Sequence, residues 1–234
     1  MTRIDVIQAI IDKIKGKTYL EIGSQNGDSF FKVRAKRKFA VDPKFKIPKK
    51  KMLGEILSRA AALETVRFYE TTSDRFFLDN PSLFDRNKID VAFVDGLHTY
   101  KQSLQDVFNC LRHLNDNGFI VLHDCNPAAE AIATPASSFQ DAENKKVPGW
   151  AGYWSGDVWK TIVHLRSLHS ELNVFVLDSD FGVGVVNKSK NEKPLSYSAK
   201  DIEQMSYSDL ASKREELLNL KPESFLHEVL KKLS

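Results

Sequence analysis

Two short stretches gather the side chains best able to do chemistry, VDGLH at 94–98 and LHDC at 122–125. Each closes an apolar run, VAFVD or FIVLHD, so Asp95 and the His123–Asp124 pair are expected at the ends of two strands. Adjacent parallel strands lie about 5 Å apart, which lets Asp95, His123 and Asp124 converge on one small ion. Oxygen ligands suit Mg2+, Ca2+ or Mn2+, and a histidine shifts the preference toward Mn2+ or another transition metal. His98 stands three residues beyond Asp95, on the turn into the next helix. Its imidazole titrates near neutrality and can take a proton from a hydroxyl, which is a poor nucleophile until that proton leaves. The plainer roles are a hydrogen-bonded helix-start residue for His98 and a satisfied structural histidine for His123.

A second constellation lies earlier, in YLEIGSQNG, where Glu21, Gly23, Ser24 and Gly27 occupy a strand-to-helix turn. Glycines there let the backbone adopt positive φ and pass close to a ligand, although tight turns need glycine for steric reasons alone. The next strand ends in AVDP, so Asp42 follows the turn by about 20 residues, where a carboxylate can accept from both hydroxyls of a ribose. A turn-forming Asp before Pro43 is the alternative. Turn and acid together point to a nucleoside. Gln25 and the spacing break the three-glycine turn a pyrophosphate needs, and Glu21 adds a negative charge that suits a sulfonium and an amino group. S-Adenosylmethionine is therefore the favoured guest.

These residues need a frame. Strands are expected at 18–22, 38–41, 66–69, 89–94, 118–122, 173–177 and 183–186, with helical periods between most of them. The clearest helix follows Thr99, with Thr99 and Gln102 as its capping box. Strands alternating with helices predict a doubly wound α/β fold, and near-continuous apolar strands predict a parallel sheet covered on both faces. Too few residues separate the last two strands for a crossover helix, so they should pair as an antiparallel hairpin. An amphipathic helix is expected over 3–15 and a charged helical tail, broken at Pro222, over 198–234. The chain thus divides into one domain over 1–190 and a helical extension over 191–234, which packs on the domain or on a second subunit of a homo-oligomer; the sequence leaves both open.

The runs YLEIGSQNGDS, AVDP, VDGLHTYKQSLQDV, GFIVLHDCNP and GDVWKTIVHLR resemble the class I methyltransferases of the methyltransferase-24 type, related to metal-dependent O-methyltransferases of the catechol and macrolide-sugar kind. The resemblance covers about residues 16–190. It implies a Rossmann-like, seven-stranded sheet with an antiparallel final strand. It also implies that Gly23 and its neighbours hold the methionine part of S-adenosylmethionine, Asp42 the ribose, and Thr72 and Ser73 the adenine. The ETTSD segment around the last two also reads as a simple Ser/Thr turn. Asp95, His98 and Asp124 become the candidate catalytic group, and Glu21, Gly23, Ser24, Gly27, Asp42, Thr72, Ser73 and Asp95 the candidate cofactor site. Asp95, His123 and Asp124 are the candidate ligands of Mg2+ or Mn2+. The related metal enzymes carry acids at these positions, so His123 is a departure. The implied reaction is O-methylation of a hydroxyl on a saccharide or small metabolite.

Residues 126–156 are rich in Ala, Ser and Pro and end in Trp150, Tyr153 and Trp154, which fits a lid over a substrate; the alternative is aromatics packed in the core. After it, a helix should open at Gly156 or Asp157, with Asp157 as its cap. Two cysteines, Cys110 and Cys125, are too few for a secreted disulfide scaffold, and no apolar run reaches the roughly 18 residues of a membrane span. The chain reads as soluble and cytoplasmic, with no membrane partner. Ten Lys or Arg crowd between Lys32 and Lys51, opposed only by Asp42, and read first as a solvated helix end. A nucleic-acid methyltransferase is a weaker rival, because VDGLH stands where such amino-methylating enzymes carry an Asn/Asp-Pro-Pro-aromatic motif. A non-catalytic binding protein that kept the cofactor fold is the other, with His123 as its best support.

Overall fold

The computed structural model describes residues 1–233. In chain order, the strands are β1 (Thr18–Ile22), β2 (Arg37–Asp42), β3 (Thr65–Glu70), β4 (Ile89–Val94), β5 (Leu114–Leu122), β6 (Asn173–Leu177), β7 (Val183–Asn187) and β8 (Leu220–Lys221). The helices are α1 (Arg3–Ile14), α2 (Lys49–Ala61), α3 (Ser73–Asp79), α4 (Tyr100–His113), α5 (Phe139–Asn144), α6 (Trp159–Leu168), α7 (Ala199–Gln204), α8 (Tyr207–Leu218) and α9 (Phe225–Lys232).

One sheet runs β3-β2-β1-β4-β5-β7-β6-β8. Strands β1 to β5 are mutually parallel, whereas β7 pairs antiparallel with both β5 and β6. The expected hairpin is thus present, and β7 slots between β5 and β6. Strand order reverses between β1 and β4, which opens a crevice beyond their carboxyl ends.

The sheet has eight strands where seven were expected. The extra strand, β8, comes from the tail and pairs parallel with the outer edge of β6. Backbone groups on that edge find partners in the chain itself. The tail packs on its own domain: Ile202, Leu210, Leu217 and Leu218 join one face of the core, and Leu226 and Leu230 the other. α1 buries Val6, Ile7, Ile10 and Ile11 against that second face, its period matching the stripe expected from sequence.

Two capping expectations are corrected. Thr99 Oγ1 accepts from the backbone N–H of Gln102 at 3.3 Å, but the Gln102 amide turns to Asp106 at 3.0 Å, so the box is half made. Asp157 does not cap α6, which starts at Trp159 behind Val158. Its Oδ1 accepts instead from the backbone N–H of Tyr100 at 2.7 Å, a free donor in the first turn of α4. No helix among the described residues is long and apolar enough to cross a membrane.

Candidate active site

A cleft of about 930 Å3 opens at the carboxyl ends of β1, β2, β4 and β5. Gly23, Asp42, Thr72, Ser73, Asp95, His98, His123 and Asp124 all line it. Gly23 has φ +88°, and a Cβ there would stand 2.0 Å from the carbonyl oxygen of Asp95, so only glycine lets the β1 turn pass this close to the end of β4. The Asp42 carboxylate is fixed by its own loop: Oδ2 accepts from the N–H of Gln25 at 2.9 Å and Oδ1 from that of Lys44 at 2.8 Å. Thr72 caps α3, and the Ser73 hydroxyl donates to Asp106 at 2.6 Å. Burial raises the Asp106 carboxyl to about 6, against the hydrogen bonds of Ser73 and Gln102.

Glu21, Ser24 and Gly27 lie behind the cleft wall. Glu21 is 2% exposed and accepts from the Tyr19 hydroxyl at 2.5 Å. Burial pushes its carboxyl up to about 7, with Tyr19 pulling the other way. Ser24 donates to the Glu21 carbonyl at 3.4 Å, and a Cβ on Gly27 would strike the Phe31 ring. These three shape the turn from beneath.

At the far side of Gly23, charges alternate. Asp95 Oδ1 lies 3.4 Å from His98 Nε2 and 3.3 Å from His123 Nδ1. Asp124 Oδ2 lies 3.2 Å from His98 Nδ1 and 3.4 Å from His123 Nδ1. His98 Nδ1 also donates to the Trp154 carbonyl at 2.6 Å, and the two rings stack. Asp124 sits at φ +60°, an unusual conformation for a non-glycine residue, and its Oδ1 accepts from Ser155 at 2.8 Å. Behind His123 stands Asp180, 3.6 Å from Nε2, clamped by the backbone N–H of Arg3 at 2.7 Å and its guanidinium at 3.1 Å.

Burial works against charge on each of these groups, and the neighbours overrule it. Asp95 is held far below the usual carboxylate range by hydrogen bonds from His123 and His98. The carboxylates around the rings push His98 up to about 9 and His123 up to about 12. The His123 hydrogen bond, then Arg3, keeps Asp180 low. Asp106, Asp180 and Arg3 were not singled out from sequence. Arg3 and Asp180 lie 177 positions apart, and no local pattern marks such a pair.

Asp95, His98 and Asp124 each offer one ligand atom within 4.8 Å of the others. Two hard oxygens and an imidazole suit Mn2+ or a similar divalent ion. An ion here would be held by His98 in place of the His123 expected from sequence, both of whose nitrogens face carboxylates.

Residues 20–125 match the methyltransferase-24 family model, described as a methyltransferase domain. Over this stretch the chain is similar to that family. The matched stretch spans just under half of the chain, runs from within β1 past the end of β5, and includes Asp42, Asp95, His98, His123 and Asp124. No curated protein matches the chain by sequence. Among solved structures, the SAH-bound methyltransferase PaMTH1 of Podospora anserina is similar at 18% identity and TM-score 0.55, over 80% of this chain and 78% of that one. A cofactor-bound protein from MTB, Rv0187, follows at 15% identity and TM-score 0.55, over 82% of each chain. The O-methyltransferase TomG of Streptomyces achromogenes, involved in tomaymycin synthesis and complexed with SAM, is 11% identical, with TM-score 0.51 over 80% of this chain and 79% of that one. At these identities the likeness is one of fold: a Rossmann-like sheet with antiparallel strands at one side.

The cleft is walled on its open side by the segment expected as a lid. Ser138, Phe139, Gly152, Tyr153, Trp154 and Ser155 line the cleft. Trp154 is buried and donates through Nε1 to the Thr134 carbonyl at 2.8 Å, whereas Tyr153 and Phe139 stay exposed at the rim. The aromatics are thus divided between the packed role and the rim role considered from sequence.

Proposed function

We propose that the chain transfers a methyl group from S-adenosylmethionine to a hydroxyl oxygen of a saccharide or small metabolite. The observation that carries this is the single cleft joining Asp42, at one end, to the Asp95–His98–Asp124 cluster at the other, with Gly23 between them. Asp42 would present a pre-oriented carboxylate to a ribose, the tight turn at Gly23 would flank the methionine arm, and Thr72, Ser73 and Asp106 would border the adenine. Asp95, which lines the same cleft, would stand near the cationic part of the guest. When bound, S-adenosylmethionine supplies an electrophilic methyl on a sulfonium.

In the proposed step, the acceptor oxygen bonds to the methyl carbon as the carbon–sulfur bond breaks, its electron pair remaining on sulfur. The acceptor's proton passes to His98, whose ring is oriented by Asp124, Trp154 and Asp95. The residues contribute chiefly by alignment of oxygen, carbon and sulfur. If a divalent ion joins the site, Asp95, His98 and Asp124 would hold it and it would lower the pKa of the acceptor hydroxyl; His98 then serves as ligand instead of base. Tyr153, Phe139 and Phe181 at the rim would offer flat faces to an acceptor ring.

The test is calorimetry with S-adenosylmethionine, with and without Mn2+ or Mg2+, followed by assay of hydroxylated acceptors. Unchanged turnover after Asp95→Asn, His98→Gln and Asp124→Asn, each with the cofactor still bound, rejects the catalytic assignment. Absence of any cofactor heat would favour a binding protein that kept the fold.

A further inference from the structure

The helix α2 packs with its polar side inward. Glu55 accepts from Arg59 Nε at 3.0 Å and lies 3.6 Å from Nζ of Lys38, a fully buried lysine on β2. Arg59 also pairs with Glu64 at 2.6 Å. Lys38 Nζ has no hydrogen-bond partner, so the Glu55 carboxylate is the counter-charge that its burial demands. That demand fixes the rotation of the helix. At 100° per residue, positions 50, 53, 54, 57 and 61 then share the opposite face. Leu53 is 56% exposed there, Leu57 61%, and Leu63, just past the helix end, 86%. No residue of α2 is buried. An ordinary surface helix turns its leucines to the core.

The chain leading into this face is cationic. Lys44, Lys46, Lys49, Lys50 and Lys51 are exposed, with no carboxylate between Pro43 and Gly54. Lys44 and Lys46 also line the cleft. Its partner must therefore welcome leucines and lysines side by side. A nucleic acid would pair with the lysines and leave the leucines wet, and a second copy of this chain would bring the same uncompensated lysines. An anionic lipid surface satisfies both: acyl chains take the leucines while headgroup phosphates face the ammonium groups.

We propose that α2 and the lysines preceding it dock the protein on an anionic lipid surface, with the cleft opening beside the contact. The docking stands apart from the methyl-transfer reading, and its test reads lipid binding alone. The test is co-sedimentation of the full chain with phosphatidylcholine vesicles, with and without phosphatidylglycerol, and with light scattering of the protein alone. The expected result is sedimentation with anionic vesicles only, weakened by salt. Each lysine near such a surface contributes about fivefold. Lys49→Ala with Lys50→Ala should lower partitioning roughly 25-fold, and Leu53→Ser with Leu57→Ser by about tenfold or more. These side chains are exposed, so thermal stability should hold in all variants. Absence of sedimentation at low salt overturns the proposal. So does a leucine variant that sediments like wild type, which would leave a purely electrostatic surface. A wild-type dimer that the leucine variant splits overturns it in favour of a second copy.

Discussion

Replacing Asp42 with Ala isolates the nucleoside end of the cleft. Its carboxylate is 7% exposed, and each oxygen already accepts one backbone N–H, from Gln25 and from Lys44. A carboxylate oxygen has a further acceptor site, so two are left for the ribose hydroxyls. A hydrogen bond to a charged group is worth about 1.5–3 kcal/mol. Two at the low end amount to about 3 kcal/mol, or more than a hundredfold in Kd. Asp42→Asn should fall between, at about tenfold, because its amide keeps one accepting oxygen but turns donors toward a backbone N–H. Titration calorimetry with S-adenosylmethionine measures both, and circular dichroism confirms the fold. A Kd for Asp42→Ala within about twofold of wild type, on folded protein, refutes ribose recognition by this residue.

Three further outcomes follow from the geometry. Gly23→Ala should abolish S-adenosylmethionine binding in the same calorimetric assay, since a Cβ 2.0 Å from the Asp95 carbonyl must force the two loops apart; retained affinity would mean that the β1 turn is not the cradle. His98 has its pKa raised to about 9, so its stabilising contribution is complete below the unfolded value of about 6.5 and lost as pH rises through 9. Tm should therefore decline over that window, and less so in His98→Gln; equal declines in both proteins contradict the ion pairs. Asp180→Ala removes the acceptor of Arg3 and a partner of His123, and should cost about 2–3 kcal/mol, lowering Tm by roughly 4–12 °C. An unchanged Tm would mean that the Arg3 clamp carries no load.

Most of the sheet could be read in the sequence because its strands are long apolar runs between turn residues. Thr18–Ile22, Ile89–Val94 and Asn173–Leu177 fall where the pattern puts them. β8 could not be found that way, since two residues, Leu220 and Lys221, hold no period and are a strand only because the edge of β6 is there to receive them. At the site, Asp95, His98, His123 and Asp124 were visible as polar residues at strand ends. Their support was not: Arg3 and Asp180 meet through the docking of α1 on the β6–β7 turn, and Asp157 caps a helix 57 positions away instead of its own. The orientation of α2 was also hidden, because the lysine that sets it, Lys38, reads as one more member of a surface basic run and is in fact fully buried.

The cluster at the ends of β4 and β5 is balanced before any ligand arrives. Asp95, Asp124 and Asp180 face His98, His123 and Arg3, three negative groups against three positive ones when both rings are protonated. A sulfonium entering beside Asp95 adds a fourth positive charge in a partly buried site, where like charges are costly. The proton easiest to release is on His98, at about 9, whereas His123, held from both sides, stands at about 12. Binding of S-adenosylmethionine should thus expel a proton from His98, leaving it neutral and able to receive one from an acceptor. Calorimetry near pH 8 in buffers of different ionisation enthalpy reads that proton directly. Release should approach one proton per site in wild type and vanish in His98→Gln; equal release from both would assign it elsewhere and remove the link between cofactor binding and the base.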